Sequence, residues 1–368
     1  MPCLRCGRDW PLDAARWRCR CGGVLQIVGG PTFELSRVRG RDYTLWRYQE
    51  ALPLPDGAEP VTLGEGWTPL VHVAWNGRSI GLKLESLNPT GSFKDRGAAL
   101  LVAVLRGSHV QQVVEDSSGN AGAALSAYAA RAGLEATIYI PAHASRVKQA
   151  QIGAHGARVV PVSGSRSDTA RAVLSAVDQG AVYATHAYSP FYAHGMKTIA
   201  YELWEQLDGA APEAVVVPLG HGGLLLGLHR GFGELLSAGL IECWPRLFGV
   251  QADACAPMAR AWERSAKEVT PVAEGSTVAG GVRIADPPWG REVLSAVRES
   301  DGAILALSDE EALAAQNRLA RRGFYVEPTS ALAVAALDHL GDGPERGPAL
   351  DTVVVLTGSG FKSTRKMR

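Results

Sequence analysis

The sequence predicts an α/β protein built on open, mostly parallel sheets. Three observations point there. From about residue 80, short β-branched runs alternate with Ala/Leu-rich stretches of helical length, as when helices cover both faces of parallel strands. Gly-rich segments follow directly on several of those runs, as ligand loops do at the carboxyl ends of strands in open sheets, and their uneven spacing argues against an eightfold barrel. Of 368 residues, 46% are hydrophobic and 20% charged, which supplies a packed core and excludes bulk disorder.

In chain order, residues 1–30 come first and hold four of the six cysteines, Cys3, Cys6, Cys19 and Cys21. That clustering favours a metal over disulfides, and CLRC with CRC fits a tetrahedral four-thiolate zinc site, the second pair being the tighter C-x-C. Too short to own a core, this zinc-ribbon-like segment would use the ion as a staple, without which it loses its hold. Residues 31–80 are expected to be the N-terminal part of the large domain, 81–200 the small substrate-side domain and 201–368 the rest of the large one. The runs GLKLES, QQVVED, ATIYI, ARVVPV, AVYATH, AVVVPL, RLFGVQ and DTVVVL read as strands. Residues 120–132, 196–207, 224–237 and 308–321 read as helices, and 263–290 as loop.

Lys+Arg and Asp+Glu both number 37, a net charge of zero, so no polyanionic partner and no nucleic acid is expected. The first residues lack the apolar core of a signal peptide, and no run of about 18 apolar residues follows, so a cytoplasmic protein with no membrane association is expected. The remaining cysteines, Cys243 and Cys255, read as buried small apolar groups, and His186 and His194 as satisfied core or surface groups.

Four loops carry candidate chemistry. In LNPTGSFKDRG, residues 87–97, Gly91 and Ser92 form a turn and Lys94 opens a helix. An ammonium there faces the positive end of the helix dipole, which favours the neutral, nucleophilic amine that an aldehyde cofactor requires. The alternative is a surface lysine paired with Asp95. In EDSSGNAG, residues 115–122, Ser117, Ser118, Gly119 and Asn120 lie between strand and helix. Either Ser118 or Asn120 would cap that helix, and outward amides suit a carboxylate; an ordinary capped turn is the alternative. In VVVPLGHGG, residues 215–223, a buried strand enters Gly220, His221, Gly222 and Gly223 ahead of an apolar helix. Such a backbone cup suits a phosphate, lacks the GKS or GKT of nucleotide loops, and also fits a plain tight turn. In VVVLTGSG, residues 353–360, Thr357 brings a hydroxyl to the carboxyl end of a strand.

Together with GEGWTPL at 64–70, AYAARAG at 127–133 and EPTSA at 327–331, these segments resemble, in order and over nearly the whole chain, the fold-type II pyridoxal-phosphate enzymes. Within them the chain is most similar to the threonine synthase group. The resemblance implies the two-domain tryptophan-synthase-β-like fold, a homodimer, and pyridoxal 5′-phosphate joined to Lys94 next to Phe93. It implies that Asn120 hydrogen-bonds the cofactor 3′-oxygen. Gly220, His221, Gly222, Gly223 and Leu224 would wrap the cofactor phosphate, and Thr357 would face the pyridine nitrogen. Ser117, Ser118 and Ala121 would hold the α-carboxylate of an amino-acid substrate. An alcohol at 357 leaves the ring a moderate electron sink, suited to eliminations and replacements. The implied reaction converts O-phospho-L-homoserine and water to L-threonine and phosphate.

The chain also departs from that group. Ala121 and Tyr192 stand where a hydroxyl and an arginine for the substrate phosphate are expected, and an unmatched phosphate dianion is costly to desolvate. Arg146 and Lys148 are the candidates to compensate. Otherwise an ammonia-lyase acting on serine or threonine, or another replacement on a non-phosphorylated amino acid, fits as well. A silent cofactor-binding protein is a further alternative.

Overall fold

A computed structural model describes residues 1–30, 32–142, 146–164, 166–340 and 351–362, the side chains at 146, 148, 166 and 167 excepted. By internal packing the chain divides into Met1–Gly66 with Asn88–Met196, the first unit, and Trp67–Leu87 with Lys197–Arg368, the second. The strands are β1 (Leu70–Trp75), β2 (Arg78–Lys83), β3 (Gln112–Glu115), β4 (Glu135–Pro141), β5 (Arg158–Val162), β6 (Val182–Tyr183), β7 (Ala214–Pro218), β8 (Arg246–Ala252), β9 (Ala303–Leu307) and β10 (Thr352–Val355).

The first unit holds a wholly parallel sheet in the order β5-β4-β3-β6. Its helices are α1 (Leu35–Val38), α2 (Lys94–Gly107), α3 (Asn120–Ala132), α4 (Arg146–Ala154), α5 (Arg166–Asp178) and α6 (Pro190–Met196). The second holds a six-stranded sheet in the order β1-β2-β10-β7-β8-β9, parallel except for the β1/β2 pair. Its helices are α7 (Thr198–Gln206), α8 (Gly223–Ser237), α9 (Pro257–Glu263), α10 (Gly290–Glu299), α11 (Asp309–Ala320) and α12 (Pro328–Ala335). The predicted α/β class with open parallel sheets is what the chain forms. Among the described residues no helix is long and apolar enough to cross a membrane.

The unit boundaries differ from the expected 31–80, 81–200 and 201–368. Leu45, Trp46, Leu52 and Val61 share a buried cluster with Leu100, Leu125 and Ile138, so the chain up to Gly66 belongs with the first unit. Conversely, β2 lies parallel to β10, and the buried Lys83 ammonium meets Glu202 of α7 at 2.8 Å, which commits this hairpin to the second. The hairpin itself escapes the strand reading, which placed a strand only from residue 81. Its signal is LVHVAW-NG-RSIGLK: Asn76 and Gly77 take φ of 50° and 78°, the left-handed pair that a two-residue hairpin turn demands. The Ala/Leu-rich AILAL of β9 also escapes, because edge pairing with β8 overrides its composition. The helix expected over 196–207 starts at Pro190 and is divided at Lys197 into α6 and α7.

Candidate active site and thiolate cluster

In the first unit the loop before α2 turns at Gly91, whose φ is 83° and whose amide donates to Asn88 O at 2.7 Å. Lys94 is the first helical residue, after a Phe93 that supplies no side-chain cap. The surface-pair alternative is removed, because Asp95 is fully buried. Its carboxylate accepts both the Thr90 amide, at 2.7 Å, and the Thr90 hydroxyl. Lys94 itself is half-buried. Its Nζ lies 4.6 Å from the Phe93 ring centroid and 5.7 Å from that of Tyr192, and the Tyr192 hydroxyl donates to Lys94 O at 2.9 Å. Sequence reasoning read Tyr192 only as a missing arginine; nothing in the motif announces its bond to the lysine.

Between β3 and α3, the N-cap is Gly119, with no side-chain cap, so neither Ser118 nor Asn120 takes the capping role expected. The reason is local. The Ser117 hydroxyl accepts the Gly119 amide at 3.3 Å, and Ser117 O comes so close that a Cβ on Gly122 would lie 2.0 Å from it. Ser117 and Ala121 are buried, whereas Ser118 and Asn120 are half-buried at the start of the helix. Behind the loop, two buried acids are fastened to β6 and the residues after it. Tyr183 donates its hydroxyl to Asp116 at 2.6 Å, and its own ionisation is pushed well up by burial and by Asp116. His186 meets Glu115 through its amide, at 3.1 Å, and through Nδ1, at 3.2 Å. His186 is thus one half of a buried pair, a partnership invisible from spacing, since the two residues lie on different parallel strand ends. Arg146 and Lys148 lie on α4, and their side chains lie outside the described residues.

In the second unit β7 runs into Gly220, His221 and Gly222, and α8 starts at Gly223. Gly222 is the N-cap with φ of 100°, and a Cβ there would reach Val293 Cγ2 at 2.5 Å. A Cβ on Gly220 would meet Gly281 O at 2.9 Å, while one on Gly223 would meet nothing within 4 Å. The loop is therefore packed from behind and open in front at the residue where α8 begins. The first amides of a helix lack intrahelical acceptors, so those of Gly223 and Leu224 suit an anion. At the end of β10, Thr357 is buried, and its Oγ1 lies 3.0 Å from Ser330 Oγ. Ser330 also accepts the Gly358 amide at 2.8 Å. A neutral alcohol pair at a strand end suits a pyridine nitrogen left unprotonated, and an open glycine cup suits a phosphate ester. On both counts the residues present fit pyridoxal phosphate.

Comparison with known proteins decides the family. The family described as "Pyridoxal-phosphate dependent enzyme" matches residues 61–358. The chain belongs to that family. Among relatives of this pyridoxal-phosphate dependent enzyme, a threonine synthase of Methanocaldococcus jannaschii is 35% identical over 92% of this chain and 86% of its own. One of Methanosarcina acetivorans is 34% identical over 97% and 91%. Among solved structures, a threonine deaminase whose source is given as T.th. superposes with a TM-score of 0.68 at 27% identity, covering 82% of this chain and 94% of that one.

The N-terminal cysteines come together as their spacing predicts. The four sulfur atoms lie within 4.8 Å of one another, with Cys3–Cys21 at 3.5 Å and Cys6–Cys19 at 3.7 Å. Sulfurs about 2.3 Å from a tetrahedral zinc sit about 3.8 Å apart, so this quartet could hold that ion. Two turns build it: Gly7 N donates to Cys3 O and Gly22 N to Cys19 O, each at 2.9 Å, with φ of 70° and 82° at the glycines. The Cys21 amide, with the Trp10 indole N–H at 3.3 Å, draws the Cys19 thiol down to about 6. Against the Gly23 amide, burial and the neighbouring thiols push Cys21 up to about 11. Three guanidinium groups surround the Trp10 ring, Arg16 at 4.0 Å, Arg20 at 5.6 Å and Arg8 at 5.8 Å. Of the two later cysteines, Cys255 is buried as expected, whereas Cys243 is exposed, because it sits in the turn after α8 and ahead of β8.

Proposed function

We propose that this pyridoxal-phosphate dependent enzyme is a lyase of the threonine synthase kind, converting O-phospho-L-homoserine and water to L-threonine and phosphate. The observation that carries the reading is the extent of likeness to threonine synthases, 34% identity over 97% of this chain for one of them. Within this proposal Lys94 and Phe93, Asn120, the segment Gly220–Leu224 and Thr357 hold one cofactor, and Ser117, Ser118 and Ala121 receive the substrate α-carboxylate. Arg146 and Lys148 serve the substrate phosphate.

Pyridoxal phosphate, when bound, supplies an aldehyde for the lysine and a ring that accepts the electron pair left at Cα. The chain's residues do the rest. The Lys94 amine takes the proton from Cα and returns one later, a role worth about two to four orders of magnitude in rate for a positioned base. Amides at the start of α8 hold the cofactor phosphate, and those around Ser117 and Ser118 hold the carboxylate. Thr357, fixed by Ser330 at 3.0 Å, offers a neutral hydroxyl, so no carboxylate or guanidinium alters the ring's charge from that position. Removing the Cα and Cβ protons, expelling phosphate from Cγ and adding water at Cβ accounts for every atom of the product. A cytoplasmic homodimer completes the proposal, the dimer being read by sedimentation.

The test is a product assay. With O-phospho-L-homoserine, equal amounts of phosphate and L-threonine are expected. Ammonia and a 2-oxoacid from L-serine or L-threonine, with no phosphate release, would replace this reading by an ammonia-lyase.

A further inference from the structure

We propose that Tyr192 is a positioning residue for Lys94: its hydroxyl fastens the lysine backbone carbonyl, and its ring, with that of Phe93, holds the ε-ammonium whenever it is not joined to the cofactor. The inference rests on Lys94 being the cofactor lysine, and not on which amino acid is the substrate.

Tyr192 is 5% exposed, and its hydroxyl reaches Lys94 O at 2.9 Å. The ring centroids of Phe93 and Tyr192, at 4.6 and 5.7 Å from Nζ, both lie inside the roughly 6 Å range of cation–π attraction. The packing of α6 on α2 is built around this ring. A Cβ on Gly97 would stand 2.3 Å from Tyr192 Cδ1 and Cε1, and a Cβ on Gly195 would stand 2.2 Å from Arg96 O. Only a helix pair bare at both positions brings the tyrosine this near the lysine. On the far side the His186 ring meets the Tyr192 ring at 6.2 Å, edge to face, and His186 is itself held by Glu115. The neighbouring acids already have partners: Asp95 has Thr90, and Glu115 has His186. Arg96, on α2, is fully buried.

The chemistry calls for such a device. A lysine that bonds to the cofactor and is released in every turnover sits on a flexible four-carbon stem, and must stay over the reacting carbon while released. The hydroxyl fixes the root of that stem, and the two rings fix its tip.

The test uses the full-length protein freed of cofactor, labelled with 1-fluoro-2,4-dinitrobenzene across pH, with Lys94 identified by peptide mass. Tyr192→Leu removes both contacts, and the labelling midpoint of Lys94 is expected to fall by about half a pH unit, the size of one cation–π contact. Tyr192→Phe keeps the ring and should keep the midpoint. In the holoenzyme, acting on whichever substrate the product assay selects, it should lower kcat about fivefold with KM within about twofold, the signature of a lost hydrogen bond that acts on the amine. A wild-type midpoint in Tyr192→Leu, or an unchanged kcat in Tyr192→Phe, overturns the proposal. If Tyr192→Leu does not fold, Phe93→Leu carries the midpoint test, and an unshifted value there overturns the role of the rings. Borohydride trapping at Lys94 in the wild-type holoenzyme checks the underlying assignment separately.

Discussion

The loop before α2 and the loop before α8 both sit where a strand gives way to a helix, yet they are made in opposite ways. Around Lys94 the structure is held by side chains: Thr90 on Asp95, Tyr192 on the lysine carbonyl, rings beside the ammonium. Around Gly222 it is held by the lack of them, since Val293 occupies the volume a Cβ would need. The first arrangement fixes one nitrogen and is vulnerable to any change of chemistry. The second presents amides that every residue possesses, and is vulnerable only to bulk and to loss of left-handed φ.

That contrast is breakable. The largest effect belongs to Lys94→Ala, expected to lower turnover at least about a thousandfold and to abolish borohydride trapping at this position; substantial residual activity would remove the lysine from the chemistry. Next comes Gly222→Ala, expected to cost about 1–3 kcal/mol of stability by crowding Val293 at positive φ and to weaken retention of the cofactor phosphate. Unaltered denaturation and cofactor affinity would show that the loop has slack.

Glu65, also in the first unit, sharpens the side-chain half of the contrast. Its carboxylate is fully buried and accepts Tyr128 Oη at 2.8 Å and Leu63 N at 2.9 Å. Burial pushes its ionisation above the usual 4.5, against the pull of those hydrogen bonds. A folded-state value raised in this way stabilises the fold at low pH, and that contribution is lost as pH rises. Glu65→Gln should therefore gain stability relative to wild type from about pH 4 to about pH 8. A pH-independent difference between their denaturation midpoints would show that the charged form is fully compensated. The smallest effect on turnover is expected from Cys6→Ser, which should empty the thiolate cluster of zinc, read by metal analysis, while leaving kcat within about twofold.

Legibility followed the same division. The glycine loop could be read from residue types alone, because the demand for glycine after a buried strand is written in the sequence itself. The helix from Asn120 to Ala132 was equally plain, as was the Ser308 cap with its reciprocal Glu311 bond. What escaped were partnerships between residues far apart in sequence: Glu115 with His186, Lys94 with Tyr192, Thr357 with Ser330. Periodicity and spacing carry no information about which strand end will face which. The β1/β2 hairpin is a different kind of omission, since Asn76-Gly77 stood in the text and its turn chemistry was enough to find it.

The position of β10 has a consequence for how the protein is made. It lies between β2 and β7, so the hairpin that leaves the ribosome early has no neighbour in its sheet until residues 352–355 emerge. Vectorial synthesis can complete the four-stranded sheet well before then, but the six-stranded one must await nearly the last codon. Ribosome-bound chains should thus present one finished half and one apolar hairpin in need of shelter, a window in which chaperone capture precedes any catalytic competence.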